Sequence, residues 1–150
     1  MSVRASSLIL RRAILLGALP FVAGCASILG RSPEDRAVTV ELPVSRSTAV
    51  RRALSALREQ GYEVRESLTS GLDLTTETFR HGDRAEGIFR VVISGTAESS
   101  TATITGTYRE RQLGGIVRTK EREITRSDEG LEGELWARLV NLGLAIRSAR

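Results

Sequence analysis

The chain has 150 residues, 41% of them apolar and 27% charged, with 22 basic and 18 acidic side chains giving a formal net charge of +4. That mixture is too apolar for a disordered chain and is sized for one domain. One cysteine, Cys25, and one histidine, His81, exclude a disulfide framework and a metal site built from several His and Cys ligands within the chain.

Arg4, Arg11 and Arg12 form a basic leader, followed from Ala13 to Val22 by an apolar run interrupted at Pro20. Ten or so residues of helix reach about 15 Å, roughly half of a bilayer's hydrocarbon core, which suits the apolar region of a secretory signal and not a membrane span. The run ends in Val22-Ala23-Gly24-Cys25: an aliphatic residue, two small ones and a thiol. This tetrapeptide resembles the lipobox of bacterial lipoproteins. The resemblance implies that residues 1–24 are a signal peptide, that cleavage precedes Cys25, and that the Cys25 thiol takes diacylglycerol while its new amine is acylated. Two or more acyl chains anchor stably where one holds only marginally. The mature protein is therefore expected to sit on a membrane without spanning it, with covalent lipid on Cys25 and no other cofactor. Ala26 follows Cys25; in the enterobacterial version of the family a residue other than Asp there implies the outer membrane, facing the periplasm. Arg11-Arg12 with Ile14-Leu15 also resembles a twin-arginine export signal, although Leu10 stands where Ser or Thr is usual. A general secretory leader is the other reading.

Residues 25–36 read as lipidated cysteine and tether, containing Gly30, Ser32, Pro33 and a charged cluster. Residues 37–150 are then one folded domain of 114 residues. Val38, Val40 and Leu42 alternate with Thr39 and Glu41, predicting a half-buried strand that Pro43 ends. Ser45 is an N-cap candidate for a helix with Ala49, Val50, Ala53, Leu54 and Leu57 on its apolar stripe, and Gly61 suits its C-terminal stop. Tyr62–Leu68 and Leu72–Phe79 read as strands around Ser70-Gly71, and His81-Gly82-Asp83 as the next turn. Two longer strands follow, Ile88–Thr96 with Phe89, Val91 and Ile93 on one face, and Thr101–Arg111 with Ala102, Ile104, Gly106 and Tyr108 on one face. Gly114-Gly115 is expected to turn the chain into a last charged strand, Ile116–Ile124. Ser127-Asp128-Glu129 then opens a helix whose face carries Leu131, Leu135, Trp136, Leu139, Val140, Leu142 and Ile146. Gly130, Gly133 and Gly143 weaken it intrinsically, so it depends on packing against the sheet. The pattern predicts a two-layer α+β fold: an antiparallel sheet of five to six strands packed by two helices in the order β-α-β-β-β-β-β-α.

The segment from Val44 through Ser45, Ala49, Leu54, Leu57 and Gly61-Tyr62-Glu63-Val64 to Ser70-Gly71-Leu72-Asp73-Leu74 resembles the helix-grip domains of BamC-type envelope lipoproteins. In element order the chain is also similar to the LptE-type lipoproteins that partner a lipopolysaccharide translocon. BamC-type chains usually carry two such domains and a long N-terminal segment; here there is one domain and a short tether.

The residues contain no recognisable catalytic constellation. His81 stands alone between Arg80 and Gly82-Asp83-Arg84 and reads as a turn residue. Lys120, the only lysine, is flanked by Thr119, Glu121 and Arg122 on a solvated strand, and Gly114-Gly115 lacks the context of a phosphate loop. Without the leader, 19 basic side chains face 18 acidic ones, so overall charge offers nothing for nucleic acid. Between Arg109 and Arg126, however, six basic residues meet three acidic ones. A two-residue turn at Gly114-Gly115 would set Arg111 opposite Arg118 and Arg109 opposite Lys120, and like charges held opposite one another are costly unless an anionic partner meets them. Arg109, Arg111, Arg118, Lys120 and Arg122 are therefore candidates for an anionic-partner surface. Solvated charges that protect a sheet edge are the competing reading.

The expected function is a non-enzymatic interaction module in envelope assembly or maintenance, anchored on a membrane and meeting an envelope protein. The alternative is a carrier or sensor of a hydrophobic or anionic ligand, such as a lipid or lipopolysaccharide. An apolar cavity under Trp136 and Leu139 would favour the carrier, and a filled core with an exposed apolar or basic patch the module.

Overall fold

Strand β1 (Val38–Leu42) buries Val40 and Leu42 and exposes Thr39 and Glu41, as its alternation requires. Helix α1 (Arg46–Glu59) starts where Ser45, in an extended conformation, accepts the Thr48 N–H at 3.4 Å. Its buried stripe is Ala49, Ala53, Ala56 and Leu57, and the three alanines let the helix approach the sheet. The helix ends in a Schellman motif. Gly61, at φ +79°, donates to the Arg58 carbonyl at 2.9 Å, and Tyr62 donates to that of Leu57 at 2.9 Å. The computed structural model describes residues 33–66, 73–111 and 120–150.

The remaining strands are β2 (Val64–Glu66), β3 (Asp73–Thr76), β4 (Phe79–His81), β5 (Ala85–Gly95), β6 (Ser100–Glu110) and β7 (Arg122–Glu123). With β1 they form one open antiparallel sheet in the order β1-β6-β5-β3-β2, with β4 on β5 and β7 on β6. The fold is α+β, as the sequence pattern predicts, with seven strands and two α-helices among the described residues. The strand between Leu72 and Phe79 differs from expectation because it is interrupted. Thr75 pairs with Arg90, but Phe79 pairs with Gly87, so three intervening residues on one side face two on the other and form a bulge. At this point the hydroxyl of buried Thr76 accepts the Phe89 N–H at 2.9 Å. A side chain thus replaces the missing backbone acceptor. The expected last strand is also shorter: of Ile116–Ile124, the described part contributes Arg122 and Glu123, while Gly114-Gly115 and Arg118 lie outside the described residues.

Both helices cover one face of the sheet. Helix α2 (Gly130–Ser148) buries Leu135, Leu139, Leu142, Gly143 and Ile146. It begins slightly later than expected, with Glu129 as N-cap and no side-chain cap bond. Ser127 instead accepts the Glu129 N–H at 3.3 Å and shapes the preceding turn. A methyl group at Gly143 would lie 2.9 Å from Val38 Cγ1 and 3.3 Å from Val40 Cγ2. Helix α2 therefore rests directly on β1, and the glycine that weakens the isolated helix permits its docking. Phe89, Val91, Ile93 and Ile104 supply the sheet's side of the core. Phe79 and Phe89 pack with centroids 4.5 Å apart beside Tyr62.

Candidate interaction surface

The sheet face opposite the helices has no covering layer among the described residues. Thr101, Thr103, Thr105 and Thr107 alternate along β6 with buried Ala102, Ile104, Gly106 and Tyr108, so the threonines form a half-buried row on this face. Thr103 lies between Thr39 and Val92, and Thr107 between Ile88 and Glu123. Val92 is 37% exposed. Two adjoining grooves of about 230 and 250 Å3 share Ile88, Thr107 and Glu121.

Most charges around these grooves are paired. Arg109 donates to Glu121 at 3.2 Å, and Arg36 pairs with Glu123 at 3.2 Å. Arg90 Nε lies 3.0 and 2.9 Å from the two Asp73 carboxylate oxygens, and its hydrogen bonds hold that carboxyl below the usual range. Such exposed pairs contribute little stability, but they cancel the local field. The surface can recognise a partner by shape, methyl groups and hydroxyls more than by net charge.

The register of the described residues does not set Arg109 opposite Lys120. Thr107 pairs with Glu123 and Tyr108 with Arg122, one residue away from the arrangement that would oppose Arg109 and Lys120. Arg109 meets Glu121 instead. Arg122 donates to Glu110 at 2.9 Å and lies over the Tyr108 ring, 5.8 Å from its centroid. Arg111 donates its backbone N–H to the Arg84 carbonyl at 2.8 Å, while its buried Nε has no hydrogen-bond partner among the described residues. Lys120 is exposed. Side chains alternate between the two faces, so Arg109 and Arg122 point opposite ways.

His81 has a setting its neighbours in sequence do not disclose. It ends β4 and its side chain is only 18% exposed. Nε2 lies 2.7 Å from Glu134 on α2, Nδ1 lies 3.4 Å from Arg138, and Arg84 pairs with the same Glu134. The hydrogen bonds from Arg84 and then His81 lower the Glu134 pKa. Arg138 also lies over Phe79, 5.0 Å from its centroid. These contacts tie the β4–β5 turn to α2. Glu134 is 53 residues away, and only tertiary pairing reveals it.

Leu135, Leu139, Leu142 and Ile146 are fully buried, and Gly143 lies close against Val38 and Val40 of β1. Side chains fill the interlayer in this region, and the grooves over Ile88 open on the other face. Among the described residues, no three of His, Cys, Asp and Glu come together as metal ligands, and no helix is long and apolar enough to cross a membrane. Cys25 and its three preceding residues lie outside the described residues.

The fold and surface define a two-layer α+β domain with its helices on one face and a threonine-rich sheet on the other. No known family model and no curated protein matches this chain.

Proposed function

We propose that the protein is a lipoprotein acylated at Cys25, held at the periplasmic face of the outer membrane, whose domain is a non-enzymatic interaction module in envelope assembly or maintenance. The observation that carries the address is Val22-Ala23-Gly24-Cys25 at the end of a basic and then apolar leader. Support for a module over a carrier comes from the complete burial of Leu135, Leu139, Leu142 and Ile146 of α2 in the core, together with the open face around Ile88 and Val92. Its envelope protein partner meets that face.

Cross-linking in intact cells, followed by affinity purification from detergent-solubilised envelopes, tests this reading. Comparison of the native chain with Ile88→Arg/Val92→Arg isolates the surface, since both side chains project away from the core. The native chain should capture a discrete envelope protein that the double variant loses. Equal capture by both would refute the assignment of the face, and a Cys25→Ser chain that still fractionates with membranes would refute the anchor.

A further inference from the structure

We propose that the outer edge of β1, together with the flank of α2, is a second docking site that takes an extended polypeptide segment as an added strand. The segment has apolar side chains at alternate positions and one Asp or Glu side chain directed at Arg147. This inference goes beyond the preceding reading because it concerns a different surface and requires no lipid.

The backbone supplies the first element of recognition. In β6, Gly106 accepts from Ile124 on the β7 side. Successive residues of an antiparallel strand point their N–H and C=O groups to opposite sides, so Ser100, Ala102 and Ile104 also point toward that edge. Their partners Leu42, Val40 and Val38 face inward to β6. Thr39 and Glu41 therefore direct their N–H and C=O groups to the uncovered edge among the described residues. Only an extended backbone matches two donors and two acceptors in this spacing. The five-residue strand offers about 17 Å of such an edge.

Helix α2 supplies the second element. Gly143 seats it over Val38 and Val40, which brings Val140, Leu144 and Arg147 onto its flank along β1. These residues and residues 38–41 line a groove of about 340 Å3. Leu144 is 58% exposed, although it lies beside a strand edge and not at the outer pole of the helix. A strand added to β1 would turn every second side chain toward Val140 and Leu144 and cover this apolar surface.

Arg147 supplies the third. It is exposed and has no ion pair among the described residues. It also lines the next groove, of about 480 Å3, which continues past Leu42 and Pro43. A cation at the junction of two grooves meets the middle of a segment, so the complementary carboxylate belongs to an internal Asp or Glu and not to a chain terminus.

The test uses the full chain in detergent and a set of blocked heptapeptides that alternate Thr with Val, Leu or Ile and carry one central Glu. Saturable binding measured by fluorescence anisotropy is expected for members of the set. Methylation of the peptide nitrogens facing Thr39 and Glu41 should weaken it about tenfold or more, as should Leu144→Glu. Arg147→Glu should weaken the Glu peptides and gain affinity for the matched Lys peptides, a reversal that general damage to the fold would not produce. Circular dichroism of the exposed-site variants should match that of the native chain. Absence of binding across the set, or insensitivity to methylation and charge reversal, would overturn the proposal. A native dimer that Leu144→Glu dissociates would assign the edge to a second copy and overturn it as well. None of these outcomes depends on the partner of the Ile88–Val92 face.

Discussion

Replacing Thr76 by Val removes one hydrogen-bond acceptor at almost constant volume and should destabilise the domain more than Thr76→Ser does. Thr76 is 2% exposed, and its hydroxyl accepts the N–H of Phe89, itself fully buried, at 2.9 Å. Because the bulge moves the opposing backbone out of register there, valine would leave that N–H without an acceptor. Leaving a buried donor unsatisfied costs about 1–3 kcal/mol. Serine retains the acceptor and loses one methyl group, a cost of about 1 kcal/mol. For a domain of this size, about 4 °C per kcal/mol gives the valine variant a Tm lower by roughly 4–12 °C. Urea unfolding should show a lower midpoint at an unchanged slope, and native-state hydrogen exchange should accelerate at the Phe89 amide. A valine variant as stable as the native chain, with Phe89 equally protected, would refute this account of the bulge.

Gly143→Val should destabilise the domain by about 1–3 kcal/mol, despite removing a helix-weakening glycine, because its first carbon alone would come within 2.9 Å of Val38; thermal unfolding reads this directly. Asp73→Asn should be less stable than the native chain at neutral pH and indistinguishable from it in strong acid. Arg90 lowers the Asp73 pKa, so the stabilisation is present above the unfolded value of about 4 and lost as pH falls through the lower folded value. Urea midpoints across that range check it, and a pH-independent difference would contradict it. Glu134→Gln should likewise flatten the acid side of the stability profile and loosen the β4–β5 turn from α2, seen as faster hydrogen exchange at Arg84, whose amide donates to the His81 carbonyl.

Local periodicity disclosed most of the architecture. The faces of β1, β5 and β6, the Ser45 cap and the Gly61 stop each depend on residues within a few positions of one another. The break between β3 and β4 was hidden because it depends on Thr76 meeting Phe89, 13 residues later. The register of β7 depends on a turn whose length composition does not specify, and a shift of one residue exchanged Lys120 for Glu121 opposite Arg109. At the candidate surfaces, Ile88 and Val92 were legible as lying opposite Phe89 and Val91. Leu144 was not legible as a surface residue with a role, since its significance comes from Gly143 seating α2 at the sheet edge. His81 looked like an isolated turn residue because Glu134 and Arg138 reach it from another element.

The most direct measurement of the central claim is the intact mass and N-terminal peptide of the protein purified from bacterial envelopes. The purified protein should lack residues 1–24, begin at Cys25, and carry a diacylglyceryl thioether with an acylated amine. A free Cys25 thiol in the envelope-derived protein, or a mature chain beginning at another residue, would contradict that claim.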